Sequence, residues 1–204
     1  MDERDKFIAS LGQIMFQRAQ AQDKLDIFLK KFTMRLFEAL ERVLAELKEQ
    51  DIKGFGTCRR IKHPASDNIG LQIYIEDWSI IFVPLSGFAR PSLADEARIP
   101  PFQFKEISAR IAVFLGDDPQ GRAIYDFLIF QDGSWFAWGY GWPKQHSDID
   151  NTNFDDLALE LLFSFVKDIY VTWPSRGETS LAMSMDAKRP PYIFGLPGED
   201  RQGA

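Results

Sequence analysis

Residues 122–142, RAIYDFLIFQDGSWFAWGYGW, constrain this chain more than any other stretch. Asp132-Gly133 divides two runs dense in β-branched and aromatic residues. An Asp-Gly pair between such runs favours a two-residue type I′ turn, because both central residues need positive φ and glycine accepts it freely. That turn pairs Phe130 with Trp135, Ile129 with Phe136, Phe127 with Trp138, Tyr125 with Tyr140 and Ala123 with Trp142. Side chains alternate across a strand. One face of the hairpin then carries Tyr125, Phe127, Ile129, Phe136, Trp138, Tyr140 and Trp142. The other carries Leu128, Phe130, Trp135 and Ala137, with Asp126 opposite Gly139 and Ile124 opposite Gly141.

Two uses follow from this arrangement. The row Phe136, Trp138, Tyr140 and Trp142 is either core or a docking platform for another chain. Gly139 and Gly141, lacking side chains, leave a shallow trough beside Asp126, a pocket for a small ligand or substrate.

Ahead of the hairpin, residues 4–49 read as helix. Phe7, Leu11, Ile14 and Met15 begin a three-and-four spacing. Leu25, Phe28, Leu29, Phe32, Leu36, Leu40, Val43, Leu44 and Leu47 continue it. The polar run QRAQAQDKLD interrupts the stripe. A helix of this length would extend ~68 Å, far beyond one small domain. The expectation is therefore a break near Gln22, with Asp23 capping a second helix, or one helix packed on a second copy of the chain. Lys53-Gly54-Phe55-Gly56 ends the helix. Strands follow at Thr57–His63, within residues 70–85 (two strands about a turn at Glu76-Asp77) and at Ala109–Leu115. Residues 86–108, with Gly87, Pro91, Pro100 and Pro101, form a long link. After Trp142-Pro143 a polar loop leads to a helix at 153–171, capped by Thr152 or Asn153. The order predicts an α+β domain over residues 1–174: an antiparallel sheet of five to six strands at 57–142 with both helices on one face. Residues 175–204 read as an extended tail.

Composition narrows the function. A net charge of −6 without a basic run disfavours nucleic acid as partner. A single cysteine, Cys58, excludes an internal disulfide and fits a reducing cytoplasm. The charged N-terminus MDERDKF carries no secretory signal, and no apolar run approaches the ~18 residues that span a bilayer.

Catalytic signatures are few. Cys58 and His63 point to opposite sides of a regular strand, and Cys58 with His146 has no supporting motif. In the oxygen-rich run His146–Asp156, Asp148 and Asp150 fit the first two ligand positions of a calcium loop. Asn153 stands at its glycine position and Leu159 at its terminal glutamate position, so no metal is expected. Asp117, Asp118 and Asp126 are carboxylates without a defined separation. No cofactor motif occurs.

In element order alone the chain is similar to small acidic secretion-chaperone folds and to immunity and adaptor folds. The reading is a cytoplasmic, non-enzymatic protein-interaction module forming a homodimer, with Trp138, Tyr140 and Trp142 as contacts. The alternative is a ligand or substrate pocket at Asp126, Gly139 and Gly141.

Overall fold

The computed structural model describes residues 3–62, 68–76, 78–85, 108–116, 123, 125–139 and 145–170. The tail 175–204, most of the 86–108 link, and Tyr140, Gly141 and Trp142 lie outside the described residues.

The fold is α+β. A 47-residue helix, α1 (Glu3–Glu49), precedes seven strands. These are β1 (Phe55–Lys62), β2 (Ile69–Ile75), β3 (Trp78–Leu85), β4 (Ser108–Leu115), β5 (Tyr125–Phe130), β6 (Ser134–Gly139) and β7 (Gln145–Asp148). A 3₁₀ turn at Ile149–Asn151 leads into α2 (Phe154–Tyr170). The strands form one antiparallel sheet in sequence order, β1 to β7. β7 adds a seventh strand to the expected five or six. Its sequence, QHSD, has no apolar alternation. It is held through main-chain pairing of Ala137 with Gln145 and Ser134 with Asp148, as an edge strand can be without burying a face.

α1 does not break. The polar run holds neither proline nor glycine, and Ala, Gln, Arg and Lys are good helix formers. Polarity removes the reason to bury a turn but not the ability to form one. Gln22 Nε2 even donates along the helix to Asp26 Oδ1 (3.1 Å). The helix ends at Glu49 and is closed at Asp51, not at the glycines: Asp51 takes φ +56°. Ile52 N donates to Leu47 O and Asp51 N to Lys48 O, both at 3.0 Å. These two bonds close the last carbonyls as a left-handed cap does. Gly54 (φ +95°) then turns the chain into β1.

Both helices pack on one face of the sheet. The core there joins Leu25, Leu29, Phe32, Leu36 and Leu40 of α1 to Ile73, Phe82, Ile111, Phe127 and Trp135 of the strands. Leu157, Leu161 and Phe165 of α2 complete it. Phe32 is its hub, with ring centroids 5.6 Å from Phe127, 5.5 Å from Trp135 and 5.1 Å from Phe154. Burying each such ring contributes on the order of 1.5–3 kcal/mol. Tyr125 also reaches α2, its hydroxyl 3.2 Å from Ser164 Oγ. Asn153 caps α2, accepting from Asp155 N (3.2 Å) and Asp156 N (3.5 Å).

The opposite face is also closed. Ile81, Val83, Ala112, Phe114 and Ala123 cluster there, and no helix residue belongs to that cluster among the described residues. Leu128, Phe130 and Phe136 are buried on the same side.

The hairpin forms at Asp132-Gly133, but its register differs by one residue from the two-residue turn. Ile129 pairs with Trp135, Leu128 with Phe136, Phe127 with Ala137, Asp126 with Trp138 and Tyr125 with Gly139. Three residues, Gln131 to Gly133, make the connection. Gly133 N donates to Phe130 O (3.1 Å), and Gly133 alone of the three takes positive φ, +82°. A type I′ turn would also force Asp132 there, at about 1–2 kcal/mol for an L residue. The three-residue loop leaves that conformation to glycine. It also frees Asp132 Oδ1 to accept from Ser134 N (3.0 Å) and Ser134 Oγ (2.6 Å).

Gly133 has a second constraint. A Cβ at this position would stand 3.0 Å from the Phe28 ring of α1. Gly133→Ala therefore lowers stability by about 1–3 kcal/mol. Urea denaturation followed by tryptophan fluorescence checks this; an unchanged midpoint would refute the turn geometry.

Candidate interaction surface

The one-residue shift redistributes the aromatic residues. Tyr125, Phe127, Ile129 and Trp135 enter the core beneath the helices. Phe136, now opposite Leu128, is 1% exposed on the other face. The backbone of Trp138 pairs with Asp126. Tyr140 and Trp142 lie outside the described residues. The expected row joining Tyr125 and Phe127 to Phe136 on a single face is thus not assembled. Trp135 instead sits under Phe32, and its indole Nε1 donates to Thr152 Oγ1 (2.7 Å), which satisfies a polar group that burial would otherwise strand.

The trough is corrected in the same way. Gly139 pairs with Tyr125 rather than standing opposite Asp126, and Gly141 lies outside the described residues. Asp126 is 3% exposed and accepts from Arg110 Nε, itself 1% exposed. β4 and β5 place this ion pair: Ala112 stands opposite Asp126 and Leu128 opposite Arg110, so the two charged side chains meet diagonally on one face. The carboxylate is thus engaged by a structural cation. Arg110 lies in an otherwise largely apolar strand, and no sequence signal pairs it with Asp126.

A second polar locus lies where α1 meets the start of α2. A cleft of about 200 Å³ is lined by Arg35, Glu38, Arg42, Asn153 and Asp155. That is below the usual volume of a small-molecule site. Its arginines serve the fold. Arg35 Nη1 donates to Ile149 O (2.6 Å) and stacks 4.6 Å from the Phe154 ring centroid. Arg42 Nη2 donates to Asp155 Oδ1 (2.7 Å). Nearby, Lys31 Nζ donates to Asp150 Oδ1 (2.6 Å), a bond that holds the Asp150 carboxyl below its ordinary range. Among the described residues, no group of three His, Cys, Asp or Glu is placed to hold a metal ion. No helix among them is long and apolar enough to cross a membrane.

The exposed apolar surface is concentrated elsewhere, on the first half of α1. Every residue from Glu3 to Gln20 is exposed. Phe7 (67%), Ile8 (58%), Leu11 (62%), Ile14 (58%) and Met15 (62%) all face solvent. From Ala21 onward the helix is seated on the sheet. Phe7, Leu11 and Ile14 each precede Leu25, Leu29 and Phe32 by about five helical turns at 3.6 residues per turn, so they share an azimuth. The stripe that packs on the sheet therefore continues, on the same side, past the end of the sheet. This arm is ~27 Å long at 1.5 Å per residue. Its apolar side chains are left exposed, with none of them in the core clusters of the described residues. Sequence spacing shows the stripe; what spacing cannot show is where along the helix the sheet stops.

The Arg110–Asp126 pair has a direct test. Asp126→Ala removes the carboxylate to which a buried guanidinium donates and lowers stability by about 3–5 kcal/mol, whereas Arg110→Met with Asp126→Leu costs much less. Chemical denaturation of the two variants decides it, and equal losses would contradict the pairing. Compared with protein-family models, with curated proteins and with solved structures, the chain matches none.

Proposed function

We propose that this chain is a non-enzymatic protein-interaction module, of an adaptor, chaperone-like or immunity kind, that self-associates through the exposed length of α1. One observation carries the reading: five large apolar side chains share a side of a helix that projects beyond its own core. Contiguous exposed apolar surface is costly in water and marks interaction sites in soluble proteins. The arm also gains little from its own helix propensity. Isolated helices of this length are marginal, and Gly12, with open space around it, weakens this one further. A partner that covers the stripe stabilises both the side chains and the helix. Cys58, a free thiol in a chain with one cysteine, fits a cytoplasmic setting.

The module is expected to sediment as a dimer that dissociates on dilution. Leu11→Glu puts a charge at the middle of the stripe and shifts it to monomer at all concentrations. Its near-ultraviolet dichroism, which reports the packed aromatic core, stays unchanged, because Leu11 touches no core. A wild-type chain that is monomeric at every concentration, or a Leu11→Glu variant as dimeric as wild type, would overturn this function.

A further inference from the structure

We infer that the surface covering the arm is the arm of a second copy, running antiparallel about a two-fold axis at Leu11. The inference rests on the self-association proposed above and specifies its geometry.

The first argument is the pattern of the stripe. Leu11 is its centre. Ile8 and Ile14 lie three residues either side, and Phe7 and Met15 four. The stripe therefore reads much the same in both directions. An isologous two-fold contact requires a self-complementary patch. Antiparallel pairing about Leu11 sets Leu11 on Leu11, Ile8 on the partner's Ile14, and Phe7 on the partner's Met15, a sulfur–aromatic contact. The three-and-four spacing is that of helices packing side chains into one another's gaps.

The second argument is length. Pairing about Leu11 overlaps residues 3–19 of each chain. The exposed part of α1 runs from Glu3 to Gln20, and burial begins at Ala21. About Leu11, Glu3 falls opposite the partner's Ala19, so the described residues that pair end short of Ala21, where the helix meets its own sheet.

The third argument is steric. Beyond Ala21 the face that carries the stripe rests on the chain's own sheet. A parallel partner, running in the same direction on that face, would meet this sheet. An antiparallel partner runs out past Glu3 instead, and the two sheets lie at opposite ends of the paired arms.

The fourth argument is area. At roughly 100 Å² of exposed surface each, five apolar side chains per arm give on the order of 1,000 Å² over both chains, at the lower limit for a specific interface.

Cysteine cross-linking in a full-length Cys58→Ser background tests the geometry. Phe7→Cys mixed with Met15→Cys is expected to form a disulfide-linked dimer under mild oxidation to near completion. Each variant alone is expected to stay unlinked on a non-reducing gel. Self-linking of Phe7→Cys and of Met15→Cys would overturn the antiparallel arrangement while leaving self-association intact. A sedimenting dimer with no arm link in any mixture would place the contact elsewhere and overturn the inference. A monomer at every concentration would overturn the self-association beneath it. A spin label at Ala19→Cys gives an independent readout that needs no disulfide. Antiparallel arms separate the two labels by about 24 Å along the axis, and parallel arms set them side by side.

Discussion

The structure depends on the seating of residues 21–44 of α1 along the sheet, with Phe32 wedged among Phe127, Trp135 and Phe154. That contact joins the N-terminal helix, strands β5 and β6 and the first residue of α2 through a single buried ring. Truncating such a ring costs about 3–5 kcal/mol, a large share of the stability of a small domain. The polar ties around it, Lys31 to Asp150 and Arg42 to Asp155, are exposed on both partners. They orient the β7–α2 junction more than they stabilise it, since exposed pairs contribute little.

The hairpin shows how a small choice in backbone chemistry propagates. Asp132-Gly133 is a legible turn signal, and the two strands around it are legible as strands. The loop length is less so. Whether one or two residues take positive φ depends on what the aspartate side chain can accept and on which ring must lie beneath Phe32. With three residues in the loop, Trp135 rather than Phe136 enters the helix-side core. Had the loop been two residues long, Phe136 and Trp138 would face the helices and Trp135 would not reach Thr152. Register is a tertiary property here, and the short range of a turn motif does not contain it.

Other differences share this origin. α1 reads as too long for one small domain, but a helix ends where its backbone is broken or capped, not where its burial ceases. β7 is too short and polar to carry a periodic signal. The Arg110–Asp126 pair spans two strands joined by a link whose length gives no hint of which residues meet. By contrast, the α+β class, both helices on one face, a cap at Thr152 or Asn153 and the approximate positions of β1 to β6 follow from local spacing and turn chemistry, and the structure agrees, with Asn153 as the cap.

The candidate surface was half legible. Phe7, Leu11, Ile14 and Met15 stand in the spacing of a buried stripe, and nothing local distinguishes them from Leu25, Leu29 and Phe32. The difference is entirely one of reach: the sheet supports the second group and not the first. A helix built with one continuous apolar side thus has two parts, one seated on its own sheet and one left exposed beyond it. Hydrogen exchange along α1 at low and high protein concentration separates these two most directly. Amides of residues 25–44 are expected to be strongly protected at both concentrations, and those of residues 3–20 to gain protection only as concentration rises. Equal protection of 3–20 at both concentrations, or none at either, would contradict the account.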